Sequence, residues 1–189
     1  MGTNTETKPS QDAWRTIANP ASGETITFVE TVEEAHGDRV VMHVTVEPGG
    51  GPTPHAHLHQ TEAFEGLAGT VDLYLGKRQI ALPAGAAATV PPGILHHFRN
   101  NTQTPATIRV TVTPPGNVEA GMRATFHMMR EGLLPKQPLV AALLLLQSDI
   151  YLAPLPRWIY WPLIGTLGRL GRWTGGARTL ARYGARPEA

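Results

Sequence analysis

Apolar and polar residues alternate along two runs of this chain. In VVMHVTV (residues 40–46), Val40, Met42, Val44 and Val46 fall on one side of an extended backbone, and Val41, His43 and Thr45 on the other. In ATIRVTVT (106–113), Ala106, Ile108, Val110 and Val112 share a side, while Arg109 and Thr111 point the other way. Strand side chains repeat every two residues, so each run predicts a half-buried strand, with Arg109 an outward surface charge. Short runs of this kind, separated by Gly, Pro and Asn, continue from Trp14 to about Pro115 and predict an all-β sandwich or barrel.

The period changes after PPGN (114–117). Asn117 reads as an N-cap, and Val118, Met122, Phe126, Met129 and Leu133 follow at helical spacing. In this helix MRATFHMMR is a packing face and His127 an ordinary helix residue. Further on come LVAALLLL (139–146), IYLAPLPRWIYWPLIGTL (150–167) and an end rich in arginine: Arg169, Arg172, Arg178, Arg182 and Arg186. Prolines at 135, 138, 154, 156 and 162 predict that this part breaks into short helices. Glycines at 165, 168 and 171 each weaken a helix by ~1 kcal/mol relative to alanine unless close packing offsets the loss. The longest charge-free stretch in this C-terminal part, Gln137 to Ser148, falls short of the ~20 residues a membrane span needs.

The expected organisation is a disordered tail over residues 1–12, a mainly β barrel over 13–116 and a helical extension over 117–189. The extension's apolar runs are expected to pack on the barrel and across a two-fold homodimer contact. The second reading is a basic, Trp- and Tyr-bearing segment resting on a membrane surface.

Charge and composition narrow the partners. A formal charge of +1 over 189 residues predicts no general attraction to nucleic acid. Without cysteine there are no disulfides and no thiolate metal sites. The polar start MGTNTETKPSQ has no basic region followed by an apolar stretch, and glutamate at position 6 departs from the myristoylation pattern, so the cytoplasm is expected.

Candidate chemistry lies in PTPHAHLHQTEAFEG (52–66). His55, His57 and His59 alternate on one face of an extended segment, which predicts a metal site but leaves open which histidines hold the ion. Two stretches frame the question: GGGPTPHAHLHQTEAFEGLAG (49–69) and GAAATVPPGILHHFRN (85–100). Gly49, His55, His57, Glu62 and Gly69 in the first, with Gly85, Pro91, Gly93, His96 and Asn100 in the second, resemble the two motifs of the cupin superfamily. The resemblance covers the all-β region and not the C-terminal third.

It implies an antiparallel jelly-roll barrel holding one divalent transition ion per chain through His55, His57, Glu62 and His96. The strand parities agree. His55 and His57 point inward from one strand, and a turn over HQT resets the parity so that Glu62 and Phe64 face inward from the next. The turn at Pro91-Pro92-Gly93 delivers His96, with Phe98 on the same face. His59, in the turn, and His97, of the wrong parity, are left out. Three imidazoles and one carboxylate suit Fe, Mn, Ni, Cu or Zn alike.

Gly66 departs from the family pattern, which places an apolar, often β-branched residue there. The departure implies a widened pocket lined by Phe64, Gly66 and Phe98 that takes a small hydrophobic substrate. The expected activity is a metal-dependent dioxygenase-type oxidoreductase with Glu62 as catalytic proton acceptor. The alternatives are a redox-neutral cyclase, isomerase or lyase, and a small-molecule-binding protein without catalysis.

Overall fold

The computed structural model describes residues 13–184. The tail expected over 1–12 and Arg186 lie outside the described residues.

Eleven strands form two antiparallel sheets that face each other as a jelly roll. They are β1 (Thr16–Asn19), β2 (Glu24–Glu30), β3 (Val40–Val46), β4 (His55–His57), β5 (Thr61–Ala68), β6 (Thr70–Leu75), β7 (Arg78–Pro83), β8 (Ala87–Val90), β9 (His96–Arg99), β10 (Ala106–Thr113) and β11 (Ile150–Leu152). One sheet runs β1-β2-β3-β10-β5-β8 and the other β11-β4-β9-β6-β7. Both alternating runs hold as read. Val40, Met42, Val44 and Val46 are buried on β3, opposite Val112, Val110, Ile108 and Ala106 of β10. With Phe28, Phe64, Leu73 and Phe98 they form the core between the sheets. Arg109 faces outward and pairs with Glu65 at 2.8 Å.

Four helices follow: α1 (Val118–Arg130), α2 (Pro138–Gln147), α3 (Arg157–Trp173) and α4 (Gly176–Gly184). Helix α1 is buried on two sides. Val118, Met122 and Phe126 join the barrel core, while Ala124 and Met128 pack with Val140, Leu143 and Leu144 of α2 and Leu180 of α4. A third cluster ties Ala142 of α2 to Tyr160 and Ile164 of α3.

Three expectations change. Asn117 makes no side-chain cap for α1; its amide donates instead to the Gln147 carbonyl at 2.9 Å, satisfying a terminal acceptor of α2. Pro162 does not break the chain but lies inside α3, on its exposed face, where the carbonyl left without an N–H partner can be hydrated. The extension is also not purely helical, because β11 pairs with β4 in the register Ile150↔His57, Tyr151↔Ala56, Leu152↔His55. This pairing covers what would otherwise be an unprotected sheet edge formed by a three-residue strand.

Close packing offsets two of the three glycines of α3, Gly168 and Gly171, but not Gly165, where a Cβ would meet nothing nearer than Arg169 Nη1 at 3.8 Å. A Cβ on Gly171 would sit 2.3 Å from the Leu139 carbonyl oxygen, so only glycine lets α2 and α3 approach this closely. No helix among the described residues is long and apolar enough to cross a membrane.

Candidate metal centre

The site is built from both sheets. His55 and His57 come from β4 and His96 from β9, with His55 and His96 directly opposite each other across the ladder. Glu62 projects from β5 in the facing sheet. One donor atom from each of these four residues can be chosen so that all lie within 4.8 Å of one another. Spacing of this order suits a single first-row ion with bonds of about 2.0–2.3 Å. His57, Glu62 and His96 are buried, and His55 is half-buried, which makes it the ligand nearest solvent.

Backbone carbonyls orient two of the rings. Nδ1 of His55 donates to the Thr53 carbonyl at 2.8 Å and Nδ1 of His96 to that of Ile94 at 2.9 Å, which leaves Nε2 of each as the nitrogen able to serve as a ligand. Ile94 lies between the tight turn at Pro91-Pro92-Gly93 and β9, two residues before His96. That turn is held from the extension, since the Arg157 guanidinium donates to the Gly93 carbonyl.

His57 provides the test of fit. Both of its ring nitrogens are buried and neither has a hydrogen-bond partner among the described residues. An unsatisfied buried polar group costs about 1–3 kcal/mol. A cation between His57 Nε2 and Glu62 Oε1, which are 3.6 Å apart, would satisfy one nitrogen and the carboxylate together. The four residues fit a divalent ion by position and by donor type.

The electrostatics prepare the site for such an ion. Burial pushes the His55 imidazole down to about 4, helped by the neighbouring His96 and opposed by Glu62. Burial also lowers His57. Both rings are therefore neutral near pH 7, as ligands must be. Burial alone would raise Glu62, but the His96 hydrogen bond and the surrounding imidazoles outweigh it and hold the carboxyl at about 2. Burial alone would lower His96, but the hydrogen bond and charge of Glu62, 2.5 Å from Nε2, raise it instead. Oxygens face both ring nitrogens, so Glu62 favours the protonated ring, and a cation held at Nε2 would take the place of that proton.

The remaining histidines fall where parity put them. His59 is exposed beyond the end of β4. His97 lies on the other face of β9 and stacks on Tyr74 with centroids 4.6 Å apart. Phe64 and Phe98 are buried beside the ligands, with the Phe64 ring 6.1 Å from His96 and 6.2 Å from Phe98.

Gly66 has the expected parity, buried on the face of Glu62 and Phe64, but it does not widen a pocket. A Cβ there would lie 2.1 Å from the Pro83 carbonyl oxygen and 3.0 Å from that of Leu82. Backbone from β7 occupies the space that the sequence reading assigned to a substrate. Gly66→Val is therefore expected to strain the barrel, lowering stability by at least about 1–3 kcal/mol in a thermal or denaturant melt. An unchanged melting temperature would restore the pocket reading.

Sequence reasoning missed β11 and Arg157, which brace β4 and the Gly93 turn from outside the barrel. Their contacts join residues far apart in the chain, and no local pattern announces them.

Comparison with known proteins follows the same outline. Residues 42–113 match the cupin domain family. No curated protein matches the chain. A sugar phosphate isomerase of the cupin superfamily from Silicibacter pomeroyi is 26% identical over 48% of this chain and 59% of its own, with a TM-score of 0.44. A Thermus thermophilus protein is 25% identical over 51% of this chain and 88% of its own, with a TM-score of 0.47. A polyketide cyclase from Streptomyces resistomycificus is 21% identical over 49% of this chain and 66% of its own, with a TM-score of 0.45. Together, the two motifs, the paired sheets and the matched segment make residues 42–113 of this chain a cupin domain.

Proposed function

We propose that the protein is a metal-dependent enzyme that acts on a small, hydrophobic, oxygenated molecule by dioxygenase-type chemistry. The observation that carries this reading is the buried donor set His55, His57, Glu62 and His96, in which neither ring nitrogen of His57 has a hydrogen-bond partner among the described residues. A redox-active ion in this donor set supplies activation of dioxygen, and a redox-inert one supplies polarisation of a carbonyl.

The chain's own residues do the rest. The carbonyls of Thr53 and Ile94 fix the His55 and His96 rings before any ion arrives. Glu62 offers one negative charge against a divalent cation, so the centre keeps a net positive charge that favours an enolate or carboxylate. Phe64 and Phe98 give the site an apolar wall, which suits a phenolic or diketone-like molecule better than a sugar. The carboxyl is held at about 2 by His96 and the surrounding imidazoles, so Glu62 is the anionic member of the donor set.

A redox-neutral cyclase, isomerase or lyase uses the same donor set, and oxygen consumption separates the two readings. Protein purified without added metal is assayed for its ions, then offered phenols and diketones with and without air. Oxygen uptake with product formation, absent in the His96→Ala protein, is the expected result. Turnover that proceeds equally without oxygen would move the assignment to the redox-neutral class. Binding without turnover would make the protein a carrier or sensor.

A further inference from the structure

We propose that α3 is an interfacial helix that docks the protein on an anionic lipid surface. One side of α3 faces α2 through Tyr160, Ile164, Gly168 and Gly171. The opposite side is exposed and largely apolar, with Arg169 and Thr166 set among the apolar side chains. Trp158 is 77% exposed, Leu163 43%, Leu170 45% and Trp173 91%, with Ile159 beside them. At 100° per residue these side chains fall within one arc of about 140°, and the two tryptophans stand about 22 Å apart, near the two ends of the helix. Large aromatics at both ends of an apolar stripe suit a helix lying in the plane of a membrane interface.

Charge selects the occupant. From Ile150 to Gly184 there is no acidic residue, and Arg157, Arg169, Arg172, Arg178 and Arg182 are all exposed. None of these arginines is paired with a carboxylate among the described residues, and Arg157 is committed to the Gly93 carbonyl. The whole chain carries only +1, so the rest of the molecule is net negative and the positive charge is concentrated on this end. A second copy meeting this face through a two-fold axis would bring like charges together. An anionic bilayer accepts both the tryptophans and the arginines, each basic residue near such a surface tightening binding about fivefold.

The test uses the full chain with vesicles of phosphatidylcholine alone and vesicles about one-third phosphatidylglycerol. The protein is expected to sediment with the anionic vesicles only, with a blue shift of tryptophan emission, and to be released at high salt. Arg169→Glu with Arg172→Glu should weaken binding by about tenfold or more. Trp158→Ala with Trp173→Ala should abolish the blue shift while the melting temperature and metal content stay as in the parent. No association with anionic vesicles overturns the proposal. So does a dimer in equilibrium sedimentation that the double tryptophan variant dissolves, because the face then belongs to a second copy.

Discussion

The His96→Ala protein, purified without added metal, is expected to hold less than about a tenth of the parent's ion content, while His97→Ala and His59→Ala hold nearly all of it. His96 carries this weight because it faces Glu62 across the sheets and its ring is already set by the Ile94 carbonyl. Removing it takes away one donor and leaves the buried Glu62 carboxylate without its nearest partner. His57→Ala should have a comparable effect on occupancy, since His57 is the buried donor that has no other use for its nitrogens. His97 stacks on Tyr74 outside the barrel and its loss touches no donor. Elemental analysis decides the matter, and full occupancy in His96→Ala would falsify the ligand set. In the parent, protons compete with the ion first at His96, which Glu62 raises above the ordinary imidazole value, and last at His55, held down at about 4, so ion content is expected to fall progressively as pH drops from neutral toward about 4. Metal-dependent stability should fall with it, as the difference in melting temperature between the loaded and chelated protein closes.

What could be read from the sequence was what repeats locally. Alternation alone placed Val40 to Val46 and Ala106 to Val112 with the correct face inward, because a strand's period of two leaves no other choice once one face is apolar. The four ligands were legible for a different reason, the fixed spacing of two motifs. Gly66 shows where that reasoning stops. Parity says which way a position points and nothing about what already stands there, and here the backbone of β7 fills the space. The strand β11 was hidden because three residues carry no usable period, and its identity comes from β4, which it pairs with. Helix α1 was half legible. A single apolar stripe predicted one buried side, but the helix lies between the barrel and the other helices and buries two. In such a setting a charged residue between the stripes goes inside, and sequence reading would put it in water.

Arg123 is that residue. It is 1% exposed, and its replacement by alanine is expected to cost about 3–5 kcal/mol, the range for breaking one side of a buried ion pair. Its Nη2 donates to Glu119 Oε1 at 2.9 Å and its Nη1 to the Trp14 carbonyl at 2.7 Å, while the guanidinium lies 4.2 Å from the centre of the Phe28 ring. Glu119 Oε2 in turn accepts the Val32 backbone N–H at 3.0 Å. The pair thus fastens α1 to the chain entering β1 and to the segment that follows β2. For a chain of this size each kcal/mol moves the melting temperature by about 2–4 °C, so a drop of about 10 °C is expected. Ion content measured well below the transition should not change, because Arg123 touches none of the four ligands. A double-mutant cycle isolates the pair. Arg123→Met removes the guanidinium beside the buried Glu119, whereas Arg123→Met with Glu119→Gln removes both charges and should recover part of the loss. If Arg123→Met alone lost less than about 1 kcal/mol, the guanidinium would be hydrated in solution and the helix held by its apolar faces alone.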